Sequence, residues 1–145
     1  MRPVHPREIH HIGHAVADLQ AAVDTYARLF GAQVEHREIV PEQGVEAVLV
    51  RIGADSVELL CPLGDDTPVG RFIASRGPGM HHIAYRVDDI RASLREAAHA
   101  GAELIDPEPR PGLFGLQVAF IHPDSVAGVL VEYVQSGGDG TWLKT

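Results

Sequence analysis

Two histidines and two glutamates occupy matching places in a sequence that repeats itself. Residues 10–23 read HHIGHAVADLQAAV and residues 81–94 read HHIAYRVDDIRASL, so His11 and His82 are equivalent. A second echo follows in each half, Val57-Glu58-Leu59-Leu60 against Val131-Glu132-Tyr133-Val134, which makes Glu58 and Glu132 equivalent as well. Both glutamates lie among residues that favour burial, within SVELLC and GVLVEYV. A carboxylate buried without compensation is costly or takes up a proton. One divalent cation shared by the two His and two Glu side chains compensates all four. Imidazole nitrogen with carboxylate oxygen suits a first-row transition ion, and four protein ligands leave two octahedral positions open, as a catalytic metal requires.

The elements that must position these groups are readable from spacing. Each half opens with a strand, residues 8–16 and 80–87. Asp18 and Asp89 follow as helix N-caps, because a carboxylate there accepts orphan backbone N–H groups. Leu19, Val23, Tyr26 and Phe30 recur at helical spacing and Gly31 is a C-terminal stop; Ile90, Leu94 and Ala98 repeat the pattern, ending near Gly101. Strands are expected near 33–40, 45–52 and 55–61, then near 103–106, 116–122 and 127–135. Pro107, Pro109, Pro111, Gly112 and Gly115 mark an irregular loop. The order is βαβββ, twice: an α+β chain of two tandem modules, about 8–63 and 79–135, joined by a linker helix near 67–76 within one domain over 1–145. Strand alternation turns Ile12, Val16, Ile83 and Tyr85, with His10 and His81, toward the helices. His11 and His82 then occupy the opposite, inner face of each sheet. If the modules pair about a pseudo-two-fold axis, each supplies one His and one Glu to a common ion.

Composition narrows the function classes. With 145 residues, 45% hydrophobic and 22% charged, the chain is neither disordered nor a rod. No apolar run approaches the roughly 20 residues that span a bilayer, and the N-terminus lacks the apolar stretch of a signal peptide. Cys61 is the only cysteine, so no intrachain disulfide forms. A net charge of −8 disfavours nucleic acid. A cytoplasmic protein with neither a membrane nor a nucleic-acid partner is the expectation.

Beyond the repeat starts, the sequence carries PEQGV at 41–45, VELLCPLGDDTPVGRFI at 57–73, EPRPG at 108–112 and FIHPDSVAGVLVEY at 120–133. With HHIGHAV and GMHHIAYRVDDI, these runs resemble the vicinal oxygen chelate (glyoxalase-like) superfamily and, within it, the methylmalonyl-CoA epimerases, from about Ile9 to Val134. The resemblance implies paired βαβββ modules forming a cupped mixed sheet around a metal site, with His11, Glu58, His82 and Glu132 as ligands. It implies one divalent ion, Co2+ first and Mn2+, Ni2+ or Zn2+ as alternatives, an acyl-CoA substrate and a homodimer. The implied reaction interconverts (2R)- and (2S)-methylmalonyl-CoA by removing and returning the C2 proton through an enolate. Inversion calls for two acid/base groups; Glu132 is expected to be one. Part of the family carries the other acid where this chain has Ala47, and Glu46 beside it should face the wrong side of the strand. Gln43, Arg110 and Gly115 are the expected substrate-binding residues, the last two from the RPGLFG loop. Glyoxalase I uses the same ligand types on a glutathione hemithioacetal, and non-catalytic small-molecule-binding proteins share the fold; both are alternative readings.

Overall fold

The computed structural model describes residues 4–135, which divide into two compact units: residues 11–81, and residues 82–135 together with the N-terminal stretch through His10. Each unit holds four strands of a mixed sheet.

The first module runs β1 (Glu8–Ala15), α1 (Leu19–Phe30), β2 (Gln33–Val40), β3 (Val45–Ile52) and β4 (Asp55–Pro62), with the strands ordered β2-β3-β4-β1. Asp18 caps α1 by accepting from the Ala21 N–H at 3.0 Å, a contact typically worth about 1 kcal/mol. Gly31 ends the helix in the left-handed conformation, φ 65°, where a residue without Cβ is unstrained. Between α1 and the sheet, Val16, Leu19, Ala32, Val48, Val50 and Leu59 form the core. That uses one face of β3 and β4 and leaves the alternate residues on the other. β2 and β3 form an antiparallel pair, β3 and β4 another, and β4 lies parallel to β1.

Helix α2 (Pro68–Arg76) follows, capped by Thr67, whose hydroxyl accepts from the Gly70 N–H. The second module runs β5 (Gly79–Val87), α3 (Ile90–His99), β6 (Arg110–Pro111), β7 (Gln117–Ile121) and β8 (Val131–Gln135), in the order β5-β8-β7-β6. Asp89 caps α3 through the Ala92 N–H. Val87, Ile90, Leu94 and Ala119 pack between helix and sheet. The N-terminal stretch is tied to this unit: Ser93 Oγ donates to the Val4 carbonyl, and Arg7 pairs with Asp88 at 2.8 Å.

Two expected strands differ. Near 103–106 the chain makes a single bridge, Leu104 to Ile121, and the strand beside β7 is Arg110–Pro111. Pro107 and Pro109 lack the N–H that a continuous ladder needs. The last strand begins at Val131 rather than 127, because Ala127 and Gly128 both have positive φ. No helix among the described residues is long and apolar enough to cross a membrane.

Candidate metal centre

In the first module the parallel β1–β4 register sets Gly13 opposite Glu58. His11, two residues before Gly13, shares its face. The result is a contact between His11 Nε2 and Glu58 Oε1 at 3.2 Å, with each residue only 4% exposed. The other face of β1 carries His14, whose Nδ1 lies 2.7 Å from Tyr26 Oη on α1.

The second module repeats the construction. β5 and β8 are parallel, Ala84 is opposite Glu132, and His82 Nε2 stands 3.2 Å from Glu132 Oε1 with both residues 3% exposed. Gly13 and Ala84, the residues opposite the two glutamates, are both small. That detail escaped sequence reasoning, although a small residue two places after each histidine was visible. Phe120 was also missed. It lies opposite Glu132 in the β7–β8 register, and its ring stands edge-on to His82, centroids 5.7 Å apart. His81 instead meets Phe72 of α2.

Among the described residues, His11 and Glu58 in one unit and His82 and Glu132 in the other are all buried, and each carries an atom of a kind that ligates metal ions. The donor chemistry fits. Bonds of about 2.0–2.2 Å to imidazole nitrogen and carboxylate oxygen set adjacent octahedral ligands about 3 Å apart, close to the separation within each His–Glu pair. Burial removes water as the compensating partner for the carboxylates, so an ion of opposite charge is well matched to them.

The glyoxalase/bleomycin resistance protein/dioxygenase superfamily model matches residues 10–120. Human mitochondrial methylmalonyl-CoA epimerase is 38% identical over 129 residues, covering 88% of this chain and 73% of the relative. The ethylmalonyl-CoA/methylmalonyl-CoA epimerase of Cereibacter sphaeroides is 36% identical, covering 88% and 96%. This chain belongs to the methylmalonyl-CoA epimerase family of that superfamily. A solved point variant of Streptomyces coelicolor methylmalonyl-CoA epimerase, in complex with 2-nitronate-propionyl-CoA, superimposes with a TM-score of 0.89 at 36% identity, covering 92% of this chain and 97% of that one. The fold is the glyoxalase, or vicinal oxygen chelate, fold.

Two motifs that pointed to the epimerase family meet in space. The turn Pro41–Gln43 ends at Gly44, φ 68°, and a Cβ there would fall 2.7 Å from Thr67 Cγ2. The Leu63 N–H donates to the Gly44 carbonyl at 2.8 Å. PEQGV and the DDTPVG run are therefore two sides of one packed corner, with Gln43 half-buried at its edge.

The β3–β4 register runs unbroken from Val45 opposite Pro62 to Ile52 opposite Asp55. Ala47 consequently shares the face of Glu58, and Glu46 lies on the other side, paired with Arg37 at 3.0 Å. Arg110 is within 3.4 Å of Asp106 Oδ1, and its guanidinium sits 5.5 Å from the Phe120 ring centroid. Gly115 closes the turn Leu113–Gly115 with φ 69°, next to Phe114 at φ 60°.

Proposed function

We propose that this protein interconverts the C2 epimers of methylmalonyl-CoA, with His11, Glu58, His82 and Glu132 holding one divalent ion, Co2+ foremost. The observation that carries the reading is the twofold occurrence of a buried His–Glu pair at 3.2 Å in a chain of the epimerase family.

A bound ion supplies Lewis-acid stabilisation of the negative charge that develops on the thioester oxygen. The chain does the rest. Neighbouring parallel strands fix each imidazole beside its carboxylate, and the buried Leu60 and Val134, on the faces of Glu58 and Glu132, help to exclude water, which strengthens every electrostatic contact inside. Glu132 takes or delivers the C2 proton on one face of the substrate. Arg110, oriented by Asp106 and Phe120, and the backbone around Gly115 serve the phosphate and pantetheine portions of coenzyme A, with Gln43 contacting the acyl end. Ethylmalonyl-CoA belongs to the same reading as a second substrate, given the dual name of the Cereibacter relative. The active species is read as a homodimer, which light scattering of the purified protein checks.

Metal-stripped and cobalt-loaded protein, each incubated with one epimer of methylmalonyl-CoA in heavy water, test the activity. The expected outcome is cobalt-dependent deuterium uptake at C2 with loss of stereochemical purity. No uptake with that substrate, alongside turnover of the glutathione hemithioacetal, transfers the protein to the glyoxalase I class. Ligand binding that survives metal removal without any turnover makes it a binding protein.

A further inference from the structure

The first module lacks an acid on strand β3 at the face of Glu58, because Ala47 stands there. The neighbouring edge strand supplies one. In the β2–β3 register Glu38 lies opposite Ala47 and His36 opposite Leu49, with an irregularity between Val34 and His36 that sets this parity. Paired residues on antiparallel strands share a face. Two rows therefore cross this unit on the side of the His11–Glu58 pair: His36, Leu49, Glu58, Gly13, and Glu38, Ala47, Leu60, Ala15.

His36 Nε2 and Glu38 Oε1 are 2.8 Å apart, and the two side chains are 31% and 32% exposed. Around them β2 alternates, with Arg37 and Ile39 exposed and Val40 buried, so the pair belongs to the inward set. Strand spacing of about 4.8 Å puts the Glu38 backbone one strand from Ala47 and two strands, about 10 Å, from that of Leu60 in its own row. Ala47, opposite Glu38 in this register, carries only a methyl group, so β3 offers no acid of its own in that row.

We infer that Glu38 is the second acid/base of this enzyme, with His36 as its positioning residue. The inference rests on the epimerase reading above. In one direction the C2–H bond breaks, its proton passes to the Glu38 carboxylate and the bonding pair moves into the enolate. A proton from the Glu132 carboxyl then forms the new C2–H bond on the opposite face, so one proton taken is matched by one delivered. The reverse reaction exchanges the two roles.

Cobalt-loaded wild type, Glu38→Gln, His36→Ala, His36→Asn and the outward-facing control Glu46→Gln are given each epimer of methylmalonyl-CoA separately in heavy water. Inversion and C2 deuterium uptake are followed, with cobalt affinity measured in parallel. Glu38→Gln lowers inversion at least about 100-fold, the lower range for loss of an acid/base group. It leaves one epimer exchanging its C2 hydrogen with retention, and cobalt affinity is unchanged. His36→Ala lowers kcat more than it alters KM, and His36→Asn, which keeps a hydrogen-bonding side chain, recovers part of the loss. Inversion by Glu38→Gln at the rate of Glu46→Gln overturns the inference, as does equal loss of exchange from both epimers together with loss of cobalt. A wild-type protein that inverts neither epimer overturns the epimerase reading and this inference with it.

Discussion

His11 Nε2 and Glu58 Oε1 stand 3.2 Å apart on adjacent parallel strands, and His82 with Glu132 repeats the distance in the other half. His11→Ala takes away the imidazole that lies against the buried Glu58 carboxylate, a loss of about 1–3 kcal/mol for a buried hydrogen-bonding partner. The expected result is a protein that binds cobalt at least tenfold more weakly and melts lower than wild type even after metal stripping. Isothermal titration and thermal melting of the stripped proteins check both parts. An unchanged cobalt affinity would remove His11 from the ligand set.

Metal addition should stabilise the folded chain with the logarithm of free metal over Kd. At a free cobalt concentration of one hundred times Kd the gain is about 2.7 kcal/mol, which for a chain of this size raises Tm by roughly 6–10 °C. Scanning calorimetry across a cobalt series measures it, and a flat Tm at saturating cobalt contradicts a native-state site.

Gly70 allows α2 to begin where it does. A Cβ at this position would meet the Gly64 carbonyl oxygen at 2.3 Å and the Asp65 carbonyl oxygen at 2.8 Å. Because both contacts are backbone, the clash is not relieved by a side-chain rotation. Gly70→Ala should destabilise by about 1–3 kcal/mol, the usual range for overpacking, despite alanine's better helix propensity. Urea denaturation gives the number, and a stabilised variant contradicts the packing.

Burial lowers the His14 pKa below its ordinary 6.5. The folded protein therefore resists protonating this imidazole, which lies 2.7 Å from Tyr26 Oη. The unfolded chain takes up that proton as pH falls through about 6.5, so stability should decline below this pH and be unaffected above it. His14→Gln should flatten the decline between pH 6.5 and 5. Melting temperatures of the two proteins across that window decide the matter.

Burial raises the Cys61 thiol pKa, and the charges of Glu46 and Asp18 push it the same way. Since the thiolate is the reactive form, iodoacetamide should label Cys61 more slowly at pH 7.5 than it labels a free cysteine. Glu46→Gln should speed the labelling by removing one of the two opposing charges.

The repeated halves were legible because each element announces itself locally. Asp18 and Asp89 open helices, Gly31 closes one, and alternation along β1 and β5 separates His11 and His82 from their neighbours. Pairing between strands was less accessible. The parity of His36 and Glu38 depends on an irregularity in β2 that nothing in QVEHREIV announces, and the approach of Phe120 to His82 depends on the β7–β8 register. β6 was displaced because Pro107 and Pro109 exclude a ladder where hydrophobicity alone allowed one. Glu46 was placed correctly on the outer side by alternation, since the β3–β4 register contains no shift.

Placing each histidine and its glutamate on neighbouring parallel strands has a consequence for biogenesis. Parallel neighbours demand a long crossover, so the intervening helix and hairpin must be in position before His11 can meet Glu58, or His82 meet Glu132. A nascent or misregistered chain presents scattered donors with little grip on a cation. Under the proposed metal-dependent function, ion capture would report that the polypeptide has matured, and a cell short of the ion would accumulate molecules that are correctly shaped yet inert.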